Sequence, residues 1–133
     1  MLDVHIDDFF KDASAILLTG IQQFPVPITL FIEDISGPDD MDEFGLHSRR
    51  HLEALGTLVW LKDEGYIRFG TPDRQESGDE FILTSKAFTR LIRQLPDTQT
   101  PVFRALYDAR TDGNSTQLTQ LLSQWVLKPD YTD

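Results

Sequence analysis

The residues best suited to chemistry lie in one short run: His47, Ser48, Arg49, Arg50 and His51. Two imidazoles four residues apart would share a helical face, a spacing that can hold a metal ion. The residues between them bring positive charge and no carboxylate, and Ser48 stands where a zinc protease needs glutamate. Read as the opening turns of a helix, His47, Ser48, Arg49 and Arg50 are donors of the kind that meet base edges in duplex DNA. The alternative is that Arg49 and Arg50 form surface pairs with Glu53 and the acidic stretch Asp39 to Glu43, contacts of little energy.

That stretch, EDISGPDDMDEFG, carries six carboxylates and invites a calcium reading. Counting from Asp40 places Asp42 third and Gly45 sixth. Phe44 then replaces the fifth ligand, and His51 falls where a bidentate Glu belongs. A solvated acidic loop with a short helix at DDMDEF is the better expectation. No glycine-rich phosphate loop and no Gly-x-Ser-x-Gly elbow occurs, and no His lies near a nucleophile with an acid behind it. A non-enzymatic protein without metal or cofactor is therefore expected.

Trp60 is the remaining residue of interest. On a helical wheel anchored by Leu55, Leu58 and Leu61 it falls with Arg49, Glu53, Gly56 and Thr57 on the opposite side. An outward tryptophan beside a glycine suits a protein-protein anchor, whereas a buried one would pack on the first or a C-terminal helix.

These residues depend on the elements that carry them. Phe10, Ala13, Leu17, Ile21 and Phe24 recur at helical spacing after a cap at Asp7 or Asp8, and Pro25 stops this first helix. The prolines at 25 and 27 lead into ITLFI, which suits a short strand or the start of the next helix. A helix from Leu46 turns Leu52, Leu55, Leu58, Val59 and Leu61 inward and ends at Gly65. YIRFG then reads as a strand, Thr71 to Asp79 as a nine-residue loop, and EFILT as the return strand. Thr84 or Ser85 caps KAFTRLIRQL, with Phe88, Leu91, Ile92 and Leu95 inward. Two more helices follow, from Val102 and from Ser115. The second carries the apolar stripe Leu118, Leu121, Leu122, Trp125 and Val126.

The stretch Leu46 to Leu91 resembles the winged helix-turn-helix superfamily, through the joint LKDEGYIRF, the loop TPDRQESGD as wing, and LTSKAFTRL. The resemblance spans roughly residues 10 to 95. It implies an α+β winged helix over residues 1–95, with an N-terminal core helix. Residues 96–133 form a helical extension, packed on the same domain or acting as a dimer seam.

With 133 residues, 40% of them apolar, and nine Phe, the chain can bury one core. It has no cysteine, and MLDVHIDDFF shows no basic, apolar leader, so a cytoplasmic protein is expected. The uncharged run Ala13 to Ile32 holds two glutamines and two prolines and reads as core, so no membrane partner is expected.

Charge weighs on the choice of partner. The net charge is -10, and residues 1–45 alone carry ten acids against one Lys. The wing segment Gly70 to Glu80 has one Arg against four acids, on an element that would lie against phosphates in a DNA reader. The leading expectation is thus a module that contacts a protein partner or a second copy through Arg49, Glu53, Thr57 and Trp60. The alternative is a transcriptional regulator reading duplex DNA with His47, Ser48, Arg49 and Arg50.

Overall fold

The computed structural model describes residues 3–38, 44–70 and 77–129. Helix α1 (Val4–Gln23) buries Ala13, Ile16, Leu17 and Gly20, a stripe at three- and four-residue spacing. Its N-cap is Asp3, a turn earlier than the expected Asp7 or Asp8. Asp7 instead sits in the first turn, where a carboxylate favours the helix dipole, and pairs with Lys11 at 3.1 Å.

Strand β1 (Ile28–Phe31) runs directly into α2 (Ile32–Ser36), so ITLFI supplies a strand and then the first residue of a helix. Helix α3 (Arg49–Asp63) is followed by β2 (Ile67–Arg68), β3 (Ser77–Leu83) and α4 (Ser85–Ile92). Helix α5 (Val102–Thr111) and α6 (Ser115–Leu121), which passes into a π-helical turn at Leu122–Val126, complete an α+β fold of six α-helices among the described residues.

The three strands form an antiparallel sheet in the order β1-β3-β2. Strand β3 begins at Ser77, three residues before the expected EFILT, because Ser77 and Gly78 pair with Phe31 and Leu30. The register then shifts: Ile28 faces Phe81, and Glu80 takes a positive φ of 54°. This is a β-bulge; beyond it β3, the central strand, pairs along its other edge with β2 at Ile67 and Arg68. Residues 71–76, most of the expected wing, lie outside the described residues, as do residues 39–43 with the acidic loop, nearly all of its expected helix and the start of the calcium register.

One core joins all of these elements. Ile16 and Leu17 of α1, Leu58 and Leu61 of α3, Phe81 and Leu83 of β3, and Leu91 of α4 are fully buried together with Leu106 and Leu122. The stripe Leu118, Leu121, Leu122 and Val126 is buried within the single chain. On α4 the inward set differs from expectation: Ile92 is exposed and Arg90 is buried, because Arg90 reaches the end of the π-helical turn.

Gly20 marks the closest approach of α1 to the sheet. A Cβ there would stand 2.5 Å from Leu83 Cδ2 and 2.7 Å from its Cγ, and Leu83 is itself buried. Gly20→Ala gains about 1 kcal/mol of helix propensity, yet overpacking of about 1–3 kcal/mol outweighs it. A lower urea midpoint is expected, and an unchanged or higher midpoint would refute this account of the α1–sheet contact.

No helix among the described residues is long and apolar enough to cross a membrane.

Candidate functional site

Helix α3 is fixed at both ends by its own sequence. Ser48 is the N-cap, its Oγ accepting from the His51 amide at 3.2 Å. At the other end Gly65, with φ of 86°, allows the Tyr66 amide to reach Leu61 O and the Gly65 amide to reach Lys62 O. That pair of bonds is the Schellman closure, and it hands the chain to β2.

The face that α3 buries is rotated from the one its leucines suggest. His51, Ala54, Thr57, Leu58 and Leu61 are buried, whereas Leu52 is 46% exposed and Val59 37%. The rotation follows from what stands opposite. Asp12 of α1, only 1% exposed, requires a cation, and Arg50 meets it with two hydrogen bonds of 2.7 and 2.5 Å. Turning Arg50 toward α1 turns Leu52 and Val59 away.

The residues expected to read DNA are therefore largely engaged within the chain. Arg50 is a bidentate partner of Asp12, a correction to its assignment as a base-edge donor. Ser48 caps the helix. His47 lies face to face with buried His51, the rings 4.1 Å apart and 8° from parallel. Lone pairs in two parallel ring planes do not converge on one point, so this stack is poorly shaped to chelate a metal. Arg49 points outward, its side chain 85% exposed, and pairs with Glu53 at 3.2 Å.

Burial pushes the Asp12 carboxyl above its ordinary range, and the two Arg50 hydrogen bonds offset this only in part. Asp8 and Glu53 add smaller pushes in the same direction. The bond to Asp12 raises the Arg50 guanidinium, which stays charged at any physiological pH.

All four residues expected to contact a partner line one surface depression of about 420 Å3. Arg49, Glu53 and Trp60 line it with Gly56, His5 and Phe9. Thr57 also lines it but contributes little surface, being only 4% exposed with its hydroxyl donating to Glu53 O. It faces inward because the helix is rotated toward Asp12, so its assignment as an outward contact is corrected. Trp60 packs edge-on against Phe9 at 5.3 Å and remains 40% exposed, so it joins α1 while keeping an accessible face.

No family model, curated protein or solved structure matches this chain. The geometry of α3 is thus the ground for a functional reading.

Two features of that geometry are new relative to the sequence. Leu52, Gly56, Val59 and Trp60 stand at i, i+4, i+7 and i+8 and form one outward ridge with a gap in it. The gap is Gly56, where nothing comes within 4 Å of the place a Cβ would occupy. The signal for the rotation was present but faint. Asp12 shares its helical face with Phe9 and Ile16, and a carboxylate on an apolar stripe calls for a cation from elsewhere in the chain.

Proposed function

We propose that the protein is a winged helix whose third helix contacts another protein rather than duplex DNA. The element order, with a short α2 before α3 and a β2–β3 ribbon after it, supports the winged-helix assignment. The observation that carries the functional reading is the outward ridge of α3. Leu52, Val59 and Trp60 stay substantially exposed around a glycine that no packing contact requires. A mid-helix glycine costs about 0.5–1 kcal/mol relative to alanine, and no backbone approach or positive φ explains Gly56. A notch beside an aromatic side chain is a receptacle for a partner's apolar side chain.

Electrostatics support the same choice. A DNA reader needs a continuous cationic face, and on α3 the Arg50 charge is neutralised by Asp12 while Arg49 is paired with Glu53. The net charge of -10 fits a partner whose rim is basic.

The test uses Gly56→Ala and Trp60→Ala in the full chain, with a photo-crosslinking residue at Val59, expressed in the native cells. Gly56→Ala is expected to raise stability by about 0.5–1 kcal/mol while removing the discrete protein crosslink. That outcome separates lost binding from lost folding. Trp60→Ala should weaken the captured complex by about thirtyfold, the loss typical of a hot-spot aromatic. Retention of a labelled duplex pool at low salt, lost on Arg49→Ala, would overturn the proposal, as would a crosslink indifferent to Gly56→Ala.

A further inference from the structure

A second concave surface lies away from α3, between the C-terminal half of α1, α4 and α5, and encloses about 530 Å3. Its walls are mostly apolar, with Gln22 and Arg104 the polar exceptions. Ile21 and Phe24 come from α1 and the residue after it, Phe88 and Ile92 from α4, and Phe103 from α5. The Phe24 and Phe88 rings stack with centroids 4.2 Å apart, which gives the groove a preformed aromatic wall. Ile92 and Tyr107 are 43% and 46% exposed, so the groove is open to solvent despite its apolar lining. Its volume lies within the range of small-molecule sites, about 300–1,000 Å3.

Charge identifies the occupant. Arg104 lines the groove. Among the described residues no carboxylate pairs with it, and its guanidinium carbon lies 5.9 Å from the Tyr107 ring centroid. Residues 84–111, which include both α4 and α5, carry five Lys or Arg against two Asp, a net of +3 inside a chain of -10. Of these five only Arg104 lines the groove, since Lys86 donates to Glu64 O and the buried Arg90 to Val126 O, so the groove holds one exposed guanidinium beside its aromatic walls. A second copy of so acidic a chain is disfavoured as occupant by repulsion between the remaining surfaces.

We propose that this groove binds a small amphipathic carboxylate, with its apolar body against Phe24, Phe88 and Phe103 and its carboxylate on Arg104. The apolar walls supply affinity through desolvation. The guanidinium supplies selectivity, because it offers a planar fork of donors matched to a carboxylate. The site is independent of the α3 face, and either could fail without the other.

Decanoate serves as probe, titrated into the full chain below its aggregation concentration and followed by backbone amide NMR shifts. Decanol and decylamine serve as controls. Saturable shifts centred on Phe24, Phe88, Ile92 and Phe103 are expected, with decanol binding about tenfold more weakly and decylamine more weakly still. Arg104→Gln should weaken decanoate by about tenfold and leave decanol unchanged. Ile92→Trp, at an exposed position, should fill the groove and remove both ligands without lowering the melting temperature. The proposal is overturned by an absence of saturable shifts, by shifts scattered over the surface, or by decanoate binding that ignores Arg104→Gln. It is equally overturned if the same residues shift with protein concentration alone and a dimer sediments, since a second copy would then fill the groove.

Discussion

Arg50→Met is expected to destabilise the fold by about 3 kcal/mol at neutral pH, a large part of the 5–15 kcal/mol that holds a typical domain together. The cause is the partner left behind. Asp12 is 1% exposed, and without the guanidinium its carboxylate would be buried with neither of those two hydrogen bonds. The lower end of the usual range applies because the Arg50 side chain is 35% exposed and water can reach the site.

The loss should depend on pH in a defined direction. Asp12 already titrates above its unfolded value, so the folded state holds that proton more tightly than the unfolded one. Its contribution to stability is full below the ordinary carboxylate range, falls as pH rises through the raised value, and is level beyond it. Removing Arg50 deletes the contributions that lower this pKa, so the fall becomes deeper and extends further upward. The gap between wild type and Arg50→Met should thus open as pH rises through the raised Asp12 value and widen toward neutrality. The double variant Asp12→Leu with Arg50→Met should recover to within about 1 kcal/mol of wild type, because apolar residues replace a buried pair at little cost. Urea titrations at several pH values measure all of this. A gap independent of pH, or a double variant no better than the single one, would remove Asp12 as the reason α3 is rotated.

Arg50 cannot then serve as a simple probe of DNA binding. Loss of duplex retention on Arg50→Ala would report unfolding as readily as a missing contact, whereas Arg49, exposed and paired with Glu53, remains a cleaner probe.

Arg90→Met is expected to cost about 3 kcal/mol, by a different route. The Arg90 guanidinium is buried and donates to Val126 O at 2.9 Å and Lys128 O at 3.0 Å, with the Tyr66 hydroxyl at 3.4 Å. It therefore ties α4 to the carbonyl end of the π-helical turn, where a cation also suits the helix dipole. Methionine fills comparable space but leaves those carbonyls without this donor. Amide exchange at Val126 to Lys128 should accelerate more than exchange at Leu58 or Leu61 of α3. Equal acceleration at both places would mean that Arg90 supports the whole core rather than anchoring the C-terminal turn.

Much of the architecture follows from local patterns. The Ser48 cap and Gly65 closure of α3, the helices from Val102 and from Ser115, and the α+β class are all legible because caps, glycine φ preferences and hydrophobic spacing act over a few residues. The strand from Ser77 was not legible. A register shift with Glu80 at positive φ depends on pairing with β1, some fifty residues away.

The candidate site divides along the same line. That Trp60, Gly56, Glu53 and Arg49 share one face of a helix was fixed by their numbers alone, since residues three and four apart are neighbours on any helix. Which way that helix turns was decided only in three dimensions. A carboxylate and a guanidinium 38 residues apart in sequence meet at the α1–α3 contact, and the buried carboxylate could not stay charged there without the guanidinium. That meeting turned Thr57 inward, turned Leu52 and Val59 outward, and left an apolar ridge where the order of residues had placed a buried leucine stripe.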